Sequence, residues 1–223
     1  MNPFWIAFGD IHDDLTLLPR IPDLDQAGCV IVTGDLTVGQ GADRAHAILE
    51  TIRRHNPNVL AQLGNMDRAD TTAYLESHGQ NLHLRAHTLL DGPDSVGIVG
   101  VGTSTPTPFG TPSEFPEAQI SAWLDEAWNR KQDWKHTILA CHTPPYDTTT
   151  DRIGNGAHVG SPGVRAFIER TQPDLCLTGH IHESRAIDHI GKTTILNPGN
   201  FGAGGYIHIT LTPSGLHAEL RQA

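Results

Sequence analysis

Phe4-Trp5-Ile6-Ala7-Phe8-Gly9-Asp10-Ile11-His12 is the stretch that decides the fold. Five apolar, β-prone residues run into a glycine, then into an acid and a histidine two positions apart, so a buried strand delivers two ligand-type side chains to one edge of a sheet. The same grammar recurs downstream. Cys29–Thr33 runs into Gly34-Asp35, Val59–Leu63 into Gly64-Asn65-Met66-Asp67, Thr137–Ala140 into Cys141-His142, and Leu175–Thr178 into Gly179-His180-Ile181-His182. In open α/β sheets ligands gather beyond the carboxyl ends of the strands, where side chains from separate loops converge. A glycine ahead of the acid, amide or histidine permits a sharp turn and close backbone approach around such a cluster.

Working outward, further apolar runs at Val96–Val101, Thr193–Leu196 and Tyr206–Leu211 read as strands. Between the strands lie helical patterns at Asp43–His55, Ala69–His78, Glu117–Lys131 and Ser161–Arg170. Ser161 is placed to cap the last of these, with Pro162 in its first turn and Val164, Phe167 and Ile168 on one apolar face. Alternating strand and helix implies an α/β fold. The strand-rich final third, with glycine turns around residues 199–205, argues against a purely parallel doubly wound sheet. The expectation is two mixed β-sheets packed as a sandwich and flanked by helices. Residues 103–116 and 144–160 are expected to be surface loops. A length of 223 residues suits one domain over 1–223.

Composition narrows the function classes. No stretch approaches the roughly 20 apolar residues of a membrane-spanning helix, and the amino-terminal segment reads as a first strand, not as a secretory signal. Three cysteines, Cys29, Cys141 and Cys176, are widely spaced within apolar runs, which suits buried thiols in a cytoplasmic protein. A formal charge of -10 disfavours a nucleic-acid partner, because following a phosphate backbone calls for a basic surface. Fourteen histidines against fifteen Lys plus Arg is unusual. Nine of them, His46, His55, His78, His83, His87, His136, His189, His208 and His217, lie in polar or amphipathic stretches and read as ordinary residues.

Singly, Gly-Asp or His-x-His is a common turn; five strand ends carrying such residues together are not. Carboxylates, imidazoles and an amide suit Mn, Fe or Zn, and no cysteine cluster competes with them. Two cations roughly 3.5–4 Å apart can clamp a phosphoryl group if a carboxylate bridges them. Asp35, central in the set, is the natural bridge.

Gly-Asp-x-His, Gly-Asp, Gly-Asn-x-Asp, a strand-end His and Gly-His-x-His, in that order, resemble the calcineurin-like metallophosphoesterases, especially their prokaryotic phosphodiesterase-type members. The resemblance spans Asp10 to His182. It implies a helix-flanked two-sheet sandwich with two divalent metal ions. One would be held by Asp10, His12, Asp35 and His182, the other by Asp35, Asn65, His142 and His180. It further implies phosphoester hydrolysis with a metal-bridging hydroxide as nucleophile, on a small phosphoester substrate. Mn, Fe and Zn all fit, with Mn favoured for activity.

The chain departs from this pattern at Met66, where efficient phosphomonoesterases of the family carry a histidine near the leaving group. Methionine has no proton to give, and general acid catalysis is typically worth about 10² to 10⁴ in rate. Phosphodiesters are therefore favoured over monoesters. His158, in a loop that resembles a segment of prokaryotic members, is the candidate replacement acid; an ordinary loop histidine near a helix start is the competing reading. Asp67 is either what remains of a histidine-orienting pair or a loop carboxylate. Tyr146 and Arg68 are candidates for substrate contacts, and Asn197-Pro198-Gly199-Asn200, which resembles a family turn that closes the metal face, reads first as a plain turn. The rival readings are a weakly active or inactive interaction scaffold on the same fold, and a cyclic-nucleotide phosphodiesterase or nuclease.

Overall fold

The computed structural model describes residues 2–223. Strand β1 (Phe4–Phe8) is followed by β2 (Val30–Val32), α1 (Ala42–Arg53), β3 (Val59–Ala61), α2 (Asp70–Ser77), β4 (Arg85–Leu90) and β5 (Val96–Val101). Then come α3 (Glu117–Trp128), β6 (His136–Cys141), α4 (Pro162–Thr171), β7 (Leu175–Leu177), β8 (Ala186–Ile190), β9 (Thr193–Asn197), β10 (Gly205–Thr212) and β11 (Gly215–Gln222).

The strands form a five-stranded sheet, β11-β10-β1-β2-β3, and a six-stranded sheet, β4-β5-β6-β7-β9-β8. In the first, β1, β2 and β3 are parallel while β10 and β11 are antiparallel additions. In the second, β5, β6, β7 and β9 are parallel and the edge strands β4 and β8 run against them. Both sheets are mixed, as expected.

Alternation along each strand sorts side chains onto two faces. Trp5 and Ala7 of β1 join Ile31, Ile98, Ile138, Ala140, Leu177, Leu196 and Ile207 in a core between the sheets. Phe4, Ile6 and Phe8 point the other way, onto Ala45, Ile48, Leu49 and Ile52 of α1. On the far side, Val99, Val101 and Leu139 pack beneath α3 and α4. Burial on both faces explains why β1 reads as an unbroken apolar run instead of an alternating one.

The cap on α4 forms as predicted, with Val164 N donating to Ser161 Oγ at 3.0 Å. Helix α1 ends two residues before the limit read from the pattern, within the usual variation of helix ends, and α3 ends three residues before it, at a turn through Asn129 and Arg130. Three strands escape the sequence pattern: β4, β8 and β11. All are sheet edges, intermediate or exposed over most of their length, so one side of each carries polar residues such as Arg85, His87, Asp188 and Glu219.

A buried amide ties the sheets near their carboxyl ends. Gln62 Nε2 lies 3.3 Å from the carbonyls of Thr33, Val101 and Ala140, one from the five-stranded sheet and two from the six-stranded one. This places the ends of β2, β3, β5 and β6 at one edge of the sandwich.

Candidate metal centre

The backbone at that edge is unusual. Asp10, His12, Asp13, Asp35 and His180 all adopt positive φ, between 45° and 69°. Left-handed conformation at residues other than glycine is sparsely populated and gathers at functional sites. Gly34 is required for another reason: at φ 124°, a Cβ would lie 2.6 Å from His142 Nδ1 and 2.7 Å from Gly64 N. The β2, β3 and β6 ends are pressed together there, and only glycine fits.

Asp10, His12, Asp35 and His182 each offer a ligand atom, all within 4.8 Å of one another. His12 Nε2 and His182 Nε2 are 3.0 Å apart, and His182 Nε2 is 3.3 Å from Asp10 Oδ1. Donors on one cation with bonds of about 2.1 Å stand roughly 3.0–3.4 Å from each other, so these spacings suit a shared ion. A second group adjoins the first. Asn65 Oδ1 is 2.7 Å from His180 Nδ1 and 3.2 Å from His142 Nε2. Asp35 Oδ2 faces both, 3.6 Å from His12 Nε2 and 3.5 Å from His142 Nε2.

Surrounding groups aim these donors. His142 Nδ1 is 3.1 Å from the Thr33 carbonyl, so Nδ1 carries a proton and Nε2 faces the cluster. Met66 N donates to Asp35 Oδ1 at 2.8 Å, which leaves Oδ2 for the two groups. The His180 N–H donates to both Asp10 oxygens at 3.1 Å.

Charge follows geometry. Burial opposes ionisation of Asp35, but His142, then His12 and the Met66 N–H, outweigh it and hold the carboxyl below its usual range. Burial likewise disfavours a charged His142, yet Asp35 pushes it up to about 9. His180 is driven down to about 4 by burial and by His142. The buried carboxylates of Asp10 and Asp35 thus draw positive charge into a cluster of oxygen and nitrogen donors, the property a divalent cation site needs.

Asp67 proves to be a structural clamp. Fully buried, it accepts from Leu36 N at 3.0 Å, Thr37 N at 2.9 Å and Gly64 N at 3.0 Å, locking the β2 loop to the β3 loop. Burial, with Asp35 nearby, pushes its carboxyl up to about 7. Asn197 is more than part of a turn: its Nδ2 donates to Ile181 O at 3.0 Å and Thr150 O at 3.2 Å, bracing the loop that carries His180 and His182.

His158 belongs to a different constellation. Its Nδ1 is 2.6 Å from Asp151 Oδ1, its Nε2 is 3.6 Å from Asp147 Oδ1, and its ring meets Tyr146 edge-on at 5.8 Å between centroids. Its loop is pinned by bridges between Pro145 and Ser161 and between Arg152 and His158. Arg68 is exposed and forms no ion pair among the described residues. Sequence reasoning passed over Thr111 and Glu114, which stand behind Asn65. A Thr/Pro-rich loop carries no local sign of such a contact.

The family model for calcineurin-like phosphoesterases matches residues 6–184, and the chain belongs to that family. The uncharacterized protein MJ1162 of Methanocaldococcus jannaschii is 32% identical over 199 residues, covering 86% of each chain. Among solved structures, TT1561 of Thermus thermophilus superposes with a TM-score of 0.70 at 19% identity, covering 98% of this chain and 99% of that one. A 5′-nucleotidase described as putative, from Staphylococcus aureus, reaches 0.62 at 16% identity, with all of this chain matching 54% of that protein. At such identities the structural likeness establishes the shared fold alone.

Proposed function

We propose that this chain is a two-metal phosphoester hydrolase that prefers phosphodiesters. One observation carries the reading: a single carboxylate oxygen, Asp35 Oδ2, stands 3.6 Å from His12 Nε2 and 3.5 Å from His142 Nε2, between two donor groups. Asp10, His12, Asp35 and His182 would hold one cation, and Asp35, Asn65, His142 and His180 the other, with Mn the favoured metal. When bound, such a pair supplies positive charge to the phosphoryl oxygens and activates the attacking water.

The chain's own residues do the rest. Asp35 divides its two oxygens between the Met66 N–H and the two donor groups, so the carboxylate that would bridge the ions is held from behind. Met66 anchors Asp35 through its backbone and offers no proton through its side chain, which supports substrates whose leaving group needs little protonation. His158 is proposed as the proton donor in its place. Asp151, fully buried and itself held by Thr148 N at 3.0 Å and Gly160 N at 2.9 Å, fixes the imidazole through Nδ1 and leaves Nε2 as the atom that would exchange a proton with substrate. The acidic charge favours a small phosphoester over a long nucleic acid. A cytoplasmic setting accords with three buried, free thiols.

Turnover of bis-p-nitrophenyl phosphate and p-nitrophenyl phosphate by the Mn-loaded protein tests this. The diester is expected to be cleaved at least about tenfold faster, a barrier difference of about 1.4 kcal/mol; equal rates, or a faster monoester, contradict the preference. Met66→His adds a proton donor at position 66, and turnover of an alkyl monoester, whose alkoxide leaving group needs that proton, should rise by about 10² or more, while both p-nitrophenyl esters, which release a stable phenolate, change little. A variant with unchanged alkyl monoester turnover separates the preference from position 66.

A further inference from the structure

The loop between β5 and α3 grips Asn65 twice. Ser113 N donates to the Asn65 carbonyl at 2.9 Å, and Asn65 Nδ2 donates to Thr111 Oγ1 at 2.9 Å. Thr111 Oγ1 in turn lies 2.6 Å from Glu114 Oε1. Glu114 also accepts from Thr111 N at 2.8 Å and from Thr107 N at 3.0 Å and Thr107 Oγ1 at 2.5 Å.

Donor arithmetic makes this arrangement directional. A hydroxyl has one proton, and an ionised carboxylate can only accept. Although burial opposes its ionisation, Glu114 is brought down to about 2 by the hydroxyls and N–H groups of Thr107 and Thr111, so it accepts at any ordinary pH. The Thr111 proton is committed to it. Thr111 Oγ1 is left with lone pairs alone, and toward Asn65 it can only accept. That contact selects the NH₂ end of the amide and turns Oδ1 the opposite way, 2.7 Å from His180 Nδ1 and 3.2 Å from His142 Nε2. An amide flipped by 180° would put its NH₂ among the metal donors, where it could not ligate a cation.

We infer that Thr111, held by Glu114, is the positioning residue that fixes the orientation of the Asn65 amide and so sets the affinity of the second metal site without touching the first. The inference rests on the two-metal reading above. It concerns the Asn65-His142-His180 group; Asp10, His12 and His182 have no contact with the loop that carries Thr111 and Glu114 among the hydrogen bonds described.

Mn titration followed by electron paramagnetic resonance tests it, because free Mn, an isolated bound ion and a coupled pair give different signals. Wild-type protein is expected to take up two ions and show a coupled pair. Thr111→Val keeps the volume and loses the acceptor. It should bind the first ion as wild type does and the second about 10- to 100-fold more weakly, the range for removing a ligand's outer partner. Thr111→Ser, which keeps the hydroxyl, should restore the pair. Glu114→Gln offers an amide that can donate to Thr111 and release its proton toward Asn65, and it too should weaken the second site alone. Two ions bound by Thr111→Val at wild-type affinity overturn the inference, as does a Thr111→Ser that fails equally, which would mark a loop-packing effect. Wild-type protein that takes up no pair overturns the two-metal reading itself, and this inference with it.

Discussion

Asp35→Ala is expected to lower diester turnover by more than about 100-fold and to leave less than one tightly bound Mn per chain. The magnitude follows from the place of the residue. Removing a group that merely supports a ligand typically weakens a metal site by roughly 10- to 100-fold, and Asp35 faces both donor groups directly. Its loss also frees Met66 N from its 2.8 Å bond and removes the charge that holds His142 up at about 9. Turnover with purified variant and wild type, beside metal content by mass spectrometry, gives the answer. A variant that keeps both activity and two ions would show that the carboxylate is no bridge.

The second large effect is on stability. Asp10, His12, Asp35 and Asn65 follow strands of the five-stranded sheet, whereas His142, His180 and His182 follow strands of the six-stranded sheet. A cation held by both sets joins the two layers in the native state and has no equivalent site in the unfolded chain. At a free concentration 100 times its dissociation constant, each ion adds about 2.7 kcal/mol. In a chain of this size about 1 kcal/mol moves the melting temperature by roughly 2–4 °C. Chelation of the Mn-loaded protein should therefore lower Tm by about 5–10 °C per site, and added Mn should restore it. Differential scanning calorimetry with and without chelator checks this, and an unchanged Tm would mean that no metal bridges the layers.

Much of this site was legible in the chain because strand ends with glycine and a ligand-type residue are locally encoded. Asp10, His12, Asp35, Asn65, His142, His180 and His182 are brought to one edge, as their places after buried strands implied. The interior strands were legible for a related reason: burial on both faces writes a continuous apolar run, as in Phe4–Phe8 and Val96–Val101. Edge strands obey no such constraint. β4, with every residue of intermediate burial, carries Arg85, His87 and Thr88 among its apolar residues and shows no pattern a loop would not show. Contacts between distant loops were equally silent. Thr111 lies 46 residues from Asn65, and nothing in a run of threonine and proline announces which amide it will orient. The role of Asp67 depended likewise on backbone amides of residues 36 and 37, whose positions only the folded loops reveal.

The order of strands in the five-stranded sheet carries a kinetic consequence. β1 lies between β2 and β10, with Phe4 paired to Thr210 and Ala7 to Ile207. A ribosome must therefore release β2 through β10 before β1 acquires its second neighbour. Until then β1 presents an open edge, the kind of surface that invites pairing with another chain. Such long-range closure is slow compared with local helix formation. Asp10 and His12 leave the ribosome before every other residue of the candidate site, yet the sheet beneath them is completed only when β10 arrives.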